Sequence, residues 1–590
     1  MNGCTAAPAE EDIRRTARVR TRVILAAMIL WAAAVVFRLI HLQIFTHQEA
    51  KGQIEFQNQA EAEILPDRGI IRDRRGTILA QMIARQSVQY FFAEETRPDE
   101  RLALVRKLAP VLGLDESRIA SFRDNLDRKR GSVWLKRKID EETAARIEAL
   151  ALPGVKLYEE PLRFYPQGAL ASHVLGFVGI DNKGLGGIEY HLDEVLQGKP
   201  GKQILYQDVA GRSYRIEQTV APEVGRDIDL TLDVRIQYIA QREIEKAVAA
   251  NRASWGAVVV SDPATGEILA MASAPSFDPN AYAKSDPSSH YERTFRTLID
   301  PGSTFKIVTA AAALEHRKVA TFETFDCSPK AVDVAGGPIR DHKPFGILTF
   351  SGIIAQSSNV GTIQVGRRIG PELLYRTIRD FGFGNKTGIE LSAEASGVVH
   401  PPAVWSRRSI DSISVGYEVS VTLLQLLQAV NIVANRGVRV SPRIIKQVDG
   451  RPYTPPDQAA PPVRVISVQT AEKLIDILER VVLEGTGTAA ALKGFAVAGK
   501  TGTSQIFDPV EKKYSLSRHT ASFVGFVPSG NPVLSIAIIL NEPRNDVYYG
   551  GQVAAPVFRA IAQPVLRLLG VFPAPGQTVL AQARPEGRNR

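Results

Sequence analysis

Between Val23 and Phe37 the chain carries fifteen consecutive uncharged, mostly apolar residues, and after Arg38 the apolar character resumes through Leu39-Ile40-His41-Leu42-Gln43-Ile44-Phe45. A run of this length just crosses a bilayer as one helix. It therefore divides the rest of the chain between two compartments. Five arginines precede it (Arg14, Arg15, Arg18, Arg20 and Arg22), whereas only His47 and Lys51 follow closely. The positive-inside rule then puts residues 1–22 in the cytosol and everything after about residue 46 outside. A cleaved signal peptide is the alternative, because Ala32-Ala33-Ala34 imitates a small-residue cleavage site. That triplet lies inside the apolar run rather than after it, so an uncleaved, single-pass transmembrane helix over residues 23–45 is expected. Arg38 within the span is costly in lipid unless it snorkels or meets a partner helix.

The 590 residues are 44% hydrophobic and 23% charged. That is ordinary globular usage, and it excludes both wholesale disorder and a polytopic membrane protein. The net charge of +9 would permit nucleic-acid binding, but the cations are scattered with no aromatic-interleaved stripe, so no nucleic acid is expected. A surface facing anionic lipid or wall polymer fits the same balance. Cys4 and Cys327 lie on opposite sides of the span and cannot pair. The nine histidines are isolated, with no His-x-x-x-His or Cys-x-x-Cys spacing, so neither a metal nor a cofactor is expected.

Residues 46–225 alternate short apolar runs with turns and charged helical patches such as Asp140–Leu150, which reads as an α+β module. A boundary falls near Pro222–Asp227, and a second domain over residues 226–570 opens with an amphipathic helix carrying Ile236, Ile239, Ile244 and Val248 near one face. A hairpin follows, with strands Gly256–Ser261 and Ile268–Ser273 around the turn Asp262-Pro-Ala-Thr-Gly266. Late in the domain Ala521–Val527 and Val533–Leu540 read as two more strands, and Thr304–His316, Gly361–Ile369 and Leu423–Ala434 read as helices between them. The expected fold is α+β: an antiparallel sheet built from both ends of the segment, with an inserted helical lobe. Residues 571–590, rich in Pro, Ala, Gln and Arg, read as a disordered tail.

Three short elements carry chemistry. Ser303 and Lys306, in Pro301-Gly-Ser-Thr-Phe-Lys306, open an apolar helix at i and i+3, which places amine and hydroxyl on one face about a turn apart. A serine hydroxyl is a weak nucleophile unless a base is adjacent, and a helix N-terminus with a second cation would help keep that lysine neutral. Ser357-Ser358-Asn359 comes next, just before an apolar helical stretch; alone it is more often a helix cap. Lys500-Thr501-Gly502-Thr503 ends the apolar, strand-like run Phe495–Ala498. There the lysine and hydroxyls suit a carboxylate, and Gly502 would let a substrate backbone approach closely. Gly494 to Thr501 also spells the P-loop pattern G-x-x-x-x-G-K-[ST], but a P-loop follows a strand and opens a helix, and here the apolar residues lie inside the pattern.

In this order and setting the three elements form the motif set of penicillin-interacting enzymes. With Arg68-Gly-Ile-Ile-Arg-Asp-Arg-Arg-Gly-Thr-Ile-Leu-Ala80, Arg163-Phe-Tyr-Pro166 and Gly184-Leu-Gly-Gly-Ile-Glu189 ahead of them, the chain resembles a class B penicillin-binding protein, a membrane-anchored peptidoglycan D,D-transpeptidase. The resemblance implies an elongated pedestal of the dimerisation type followed by a transpeptidase domain of the penicillin-binding and serine β-lactamase kind. It implies that Ser303 attacks the D-Ala-D-Ala carbonyl, Lys306 takes its proton, and Ser357 with Lys500 protonates the departing D-alanine. It further implies that the N–H groups of Ser303 and Thr503 form an oxyanion hole, that Asn359 orients the peptide, and that Thr501 and Thr503 hold the terminal carboxylate. The expected partners are stem peptides, β-lactams, a polytopic glycan polymerase and division proteins, at the bacterial inner membrane. Asp300 stands where the family more often has glutamate. No glycosyltransferase-like region precedes the pedestal, which speaks against a bifunctional class A enzyme. Ser-Ser-Asn-Val-Gly resembles division-specific, penicillin-binding protein 3-like members, with an elongation-specific enzyme, a carboxypeptidase or a β-lactam sensor of the same fold as alternatives.

Overall fold

The computed structural model describes residues 9–45, 59–92, 95–128, 131–207, 213–329, 331–334, 337–455, 461–508, 510–545 and 547–573. The tail expected over 571–590 lies, from residue 574 onward, outside them. The described chain forms two compact units, one comprising the residues up to Pro66 with Lys199–Glu223, the other Asp67–Gly198 with everything from Val224.

In the first unit helix α1 spans Ala9–Ile40 and continues as a π-helical segment, His41–Phe45. It begins well before the apolar run because Ala, Glu and Arg are strong helix formers, so the five arginines belong to the same helix as the span. Among the described residues this is the helix long and apolar enough to cross a membrane, and Leu30, Trp31 and Phe37 stand exposed along it. The unit also contains a three-stranded antiparallel sheet of Gln59–Ile64, Gly201–Gln207 and Ser213–Val220.

Early in the second unit a long strand, Ile78–Phe92, pairs antiparallel on its two sides with Gly131–Ile139 and Val155–Phe164. Val88, Tyr90 and Phe92 alternate inward with the strand period and meet Val105, Leu108 and Ile147 of helices Pro98–Leu112 and Glu141–Ala149 in a core of their own. The three early motifs converge on one buried ion cluster. Glu189 accepts from Arg68 Nε and Arg163 Nε, each at 2.6 Å, and Arg68 also reaches Asp193 at 2.7 Å. The side chains of Arg68, Arg163 and Glu189 are at most 1% exposed. Removing one partner strands a buried charge, so Glu189→Ala should cost about 3–5 kcal/mol. A lowered urea midpoint of the full chain in detergent is the expected result; an unchanged midpoint would contradict it.

Asp73 links this region to the catalytic one, its carboxylate accepting from the backbone N–H groups of Arg75, Thr77 and Val234. Val234 opens helix α2 (Val234–Asn251). Beyond it come strands β1 (Trp255–Ser261) and β2 (Ile268–Ala274), helices α3 (Lys306–Glu315), α4 (Phe350–Gln356), α5 (Asn359–Ile369), α6 (Leu423–Ala434) and α7 (Val468–Leu483), strands β3 (Ala498–Asp508), β4 (Lys513–Val527) and β5 (Leu534–Asn541), and helix α8 (Ala555–Leu568). The strands form one antiparallel sheet in the order β2-β1-β5-β4-β3. Val258, Val260, Ile536 and Ile538 pack in one cluster with Ile236 and Ile244 of α2 and Phe558 and Ile561 of α8. Ala257, Val259, Ala537 and Ile539 belong to another, with Ala311 of α3, Leu424 of α6 and Leu474 of α7. With both faces covered, β1 and β5 read as unbroken apolar runs. The sheet from both ends with its helical lobe is the expected fold.

Two expectations are corrected. Lys500-Thr501-Gly502-Thr503 does not end a strand: it lies at the start of β3, which runs on to Asp508, because the pairing of β3 with β4 continues through polar residues that no apolar pattern marks. Likewise β4 starts at Lys513, ahead of the apolar stretch Ala521–Val527. A strand at Lys500 also removes the P-loop reading, which needs a helix there.

Candidate active site

The nucleophile candidate sits where the chain turns into α3. Gly302–Phe305 is a 3-10 turn running directly into the helix, and in 3-10 geometry residues i and i+3 eclipse, which stacks Lys306 under Ser303. Gly302 takes a φ of 54°, and its N–H donates to Gly416 O at 3.0 Å. Ser303 is partly exposed on a cleft of about 660 Å³. Among the described residues its hydroxyl has no hydrogen-bond partner.

Lys306 is fully buried. Its amine donates to Ser357 O and to Asn359 Oδ1, each at 2.7 Å, and lies 3.4 Å from Ser357 Oγ. Burial pulls its pKa down to about 7, against a smaller upward pull from Asp341. The expected helix-terminus and second-cation effects are thus replaced by desolvation. Lys500 is also fully buried, reaching Ser357 Oγ at 3.0 Å and Thr501 O at 3.1 Å. Burial first, and then the neighbouring Lys306, drive its pKa well below the ordinary lysine value.

Ser357 is the point where the two amines meet. It ends α4 in the left-handed region, φ 59° and ψ 35°, a conformation that costs a non-glycine residue roughly 1–2 kcal/mol. The bend lets Ser358 cap α5 immediately afterwards, its hydroxyl accepting from Gly361 N–H at 3.0 Å. The Ser357 hydroxyl accepts from Lys500 and lies 3.4 Å from the Lys306 amine, which leaves its own proton available to the cleft. Asn359 is held by its second amide atom, Nδ2 donating to Arg340 O at 2.7 Å.

On the opposite wall β3 is the edge of the sheet, so alternate backbone groups along it are unpaired and face outward. Thr501 and Thr503 line the cleft. Thr501 Oγ1 lies 2.6 Å from Thr486 Oγ1, and Thr503 Oγ1 accepts from Gly550 N–H at 3.0 Å. Gly502 faces the other way: a Cβ there would lie 2.3 Å from Ser522 Oγ and 2.8 Å from Thr304 Cγ2. The close approach it permits is that of the Ser303 turn against β3, not that of a substrate backbone, which corrects the sequence expectation.

Sequence reasoning missed Asp341. This residue is 3% exposed, accepts from Ser358 Oγ at 2.7 Å and from the N–H groups of Asn359 and Val360, and so fixes the start of α5. It also missed Arg340, His342, Tyr417, Thr486 and the aromatic rim, where His519 stacks on Tyr548 at 4.1 Å and Tyr548 on Tyr549 at 4.6 Å. Apart from His519, which lies within β4, these come from loops and a strand end with no periodicity or motif to mark them. The structure brings together Ser303, Lys306, Ser357, Asn359, Lys500, Thr501 and Thr503; only Gly502 among the candidates turns away.

The penicillin binding protein transpeptidase domain matches residues 256–563, and the penicillin-binding protein dimerisation domain matches residues 63–230. The chain belongs to the penicillin-binding protein family. Its relatives include stage V sporulation protein D of Bacillus subtilis, 36% identical over 87% of this chain and 80% of that one. Peptidoglycan D,D-transpeptidase FtsI of Escherichia coli is 30% identical over 94% of this chain and 92% of that one. Among solved structures, penicillin binding protein 3 of Mycobacterium tuberculosis complexed with aztreonam matches with a TM-score of 0.66 at 29% identity, covering 87% of this chain and 98% of that one. These relatives are class B penicillin-binding proteins of the type to which the motifs pointed, and the single apolar N-terminal helix fits a single-pass membrane anchor.

A penicillin-binding protein with this site has a defined pH response. Lys306 accepts a proton only when neutral, and its amine loses its charge as the pH rises through about 7. Acylation by penicillin should therefore rise with pH, reach half its limit near that value and level off above it. A profile that is flat from pH 5 to 9, spanning roughly two units on either side, would contradict the assignment.

Proposed function

We propose that this chain is a peptidoglycan D,D-transpeptidase that cross-links stem peptides through an acyl-enzyme on Ser303. The observation that carries the reading is the placing of two buried amines around Ser357, beside the Ser303 hydroxyl, which is unbonded among the described residues and open to the cleft. A neutral amine has two N–H donors and one lone pair. The two 2.7 Å bonds from Lys306, to Ser357 O and Asn359 Oδ1, take both donors and leave the lone pair for the proton of Ser303.

Ser303 Oγ attacks the carbonyl between the two D-alanines as Lys306 takes its proton. The N–H groups of Ser303 and Thr503 receive the oxyanion, aimed at the charge that develops in the transition state. When the C–N bond breaks, the departing D-alanine amine takes the Ser357 hydroxyl proton, which Lys306 or Lys500 replaces. Asn359 orients the peptide, and Thr501, Thr503 and Lys500 hold the terminal carboxylate. The amine of a second peptide then attacks the ester, forming the cross-link and freeing Ser303.

The Ser357-Ser358-Asn359 sequence supports a septal rather than an elongation role. In this reading the N-terminus lies in the cytosol and the catalytic domain outside the bacterial inner membrane. Arg38 near the end of α1 favours docking of the span on a polytopic glycan polymerase of the division machinery. The pedestal is taken as residues 46–225 and the transpeptidase domain as residues 226–570.

The reaction is tested by offering the full chain in detergent a peptide ending in D-Ala-D-Ala together with a second peptide bearing a free amine. The expected product is the amide joining the two, with release of one D-alanine. Release of D-alanine with only the shortened, hydrolysed peptide would instead establish the carboxypeptidase alternative.

A further inference from the structure

A cavity of about 390 Å³ shares no residue with the catalytic cleft, and its size falls within the roughly 300–1,000 Å³ usual for ligand pockets. Its walls come from residues 172–190, 277–296 and 391–393. They are tied to one another, His173 Nε2 lying 2.8 Å from Ser289 O and His191 Nδ1 3.1 Å from Ser392 Oγ, so the cavity is preformed. Two of the lining side chains are buried with a polar atom left over. Glu292 is 4% exposed; its Oε1 accepts from Ser273 Oγ at 2.9 Å and from Thr294 N–H at 2.7 Å, while Oε2 has no hydrogen-bond partner among the described residues. The hydroxyl of Ser172, a residue 1% exposed, is likewise unbonded. Buried polar atoms are nearly always satisfied, and a bare carboxylate oxygen is among the costliest to leave. A donor brought in by a ligand would complete Glu292.

Charge and shape narrow that ligand. The other permanently charged group on the lining is Arg296, whose guanidinium lies 4.7 Å from the Tyr291 ring centre and, among the described residues, makes no ion pair or hydrogen bond. A cation would meet this guanidinium and an anion would meet Glu292, so the fitting occupant is neutral and carries both donors and acceptors. Much of the remaining wall is aromatic. The Phe277 ring lies 5.8 Å from Phe177 and 4.4 Å from His290, and Tyr190, 55% exposed, adds another ring. Apolar ring faces beside one acceptor and one donor suit a pyranose, which presents a C–H face to an aromatic ring and hydrogen-bonding groups at its edge. An acetamido substituent matches all three features, with an N–H for Glu292 Oε2, a carbonyl for Arg296 and a methyl for the rings. We propose that this cavity binds N-acetylated amino-sugar rings, by which the chain holds the glycan of its polymeric substrate apart from the peptide that reacts. Only the source of the sugar rests on the transpeptidase reading.

The full chain, in a detergent whose headgroup carries no sugar, is titrated calorimetrically with di-N-acetylchitobiose and with cellobiose, which has the same linkage but no acetamido groups. The first should bind with a Kd of about 1 mM, and cellobiose roughly tenfold more weakly, the worth of one hydrogen bond to a charged group. Prior acylation of Ser303 by benzylpenicillin should leave the binding unchanged, because the cavity and the cleft share no residue. Glu292→Gln, which keeps the oxygen held by Ser273 and Thr294 but replaces the unpaired one by a donor, should weaken binding about tenfold. Tyr190→Ala, at an exposed position, should weaken it severalfold with the urea midpoint unmoved, and carries the test alone if Glu292→Gln lowers that midpoint. Peptide-free glycan strands should compete with the disaccharide; failure to compete would overturn the glycan as the source. Binding of neither sugar, equal binding of both, loss of binding on acylation, or full binding by both variants would overturn the site and leave the transpeptidase reading standing. Failure of penicillin to acylate Ser303 would instead sink that reading and leave the sugar titration unaffected.

Discussion

Replacing Ser303 by alanine should abolish covalent capture of a fluorescent penicillin and cross-link formation together, while the chain stays folded. Ser303 is partly exposed on the cleft, and among the described residues its hydroxyl makes no hydrogen bond that the fold would miss. Alanine keeps the backbone of the 3-10 turn, and its N–H survives. The neighbouring hydroxyls cannot take over. Ser357 Oγ is held between two amines, and the Thr503 hydroxyl accepts from Gly550 N–H. Residual labelling of Ser303→Ala at more than a few per cent of the native level, read by in-gel fluorescence, would mean that another nucleophile had been overlooked.

Lys306→Ala should slow acylation by about 10²–10⁴, the range typical of a lost general base, and should abolish the rise in rate near pH 7. The variant also leaves Ser357 O and Asn359 Oδ1, both on half-buried residues, without their donor, which costs about 1 kcal/mol for each lost bond. Stability and chemistry must therefore be read separately. The unfolding midpoint reports the first, and noncovalent binding of a penicillin under single-turnover conditions shows that the cleft is intact while the bond-forming step is slow. An acylation rate within tenfold of the native one, with the pH dependence unchanged, would move the base to another residue, Lys500 being the nearest alternative through Ser357.

Much of this site was legible in the sequence because its parts are local. Ser303 and Lys306 share a turn, Ser357 and Asn359 flank a helix cap, and Thr501 and Thr503 alternate along a strand, so spacing alone puts each pair on one face. The sheet was legible for a similar reason: β1 and β5, buried on both faces, leave unbroken apolar runs. The strand β3 was misplaced because its pairing with β4 extends through Ser504, Gln505 and Asp508, where backbone bonds rather than apolar side chains hold it. Gly502 was misassigned because strand alternation says that it faces away from Thr501 and Thr503 but not what lies behind it. Asp341 and Arg340 could not be found at all. Their significance arises from contacts with Ser358, Asn359 and Val360 across the fold, and nothing in the residues around them repeats or alternates. The low pKa of Lys306 belongs to the same class: the sequence suggested the helix end and a second cation, whereas the cause is complete burial, a property of the assembled lobe.

The decisive question is which atom forms the ester. The full chain in detergent, incubated with benzylpenicillin, quenched in acid and digested, yields one modified peptide whose mass and fragmentation locate the adduct. A single penicilloyl group is expected on Ser303, in the stretch Asp300-Pro-Gly-Ser-Thr-Phe-Lys306. An adduct on Ser357 or on any other residue, or no adduct on a folded chain, would contradict it.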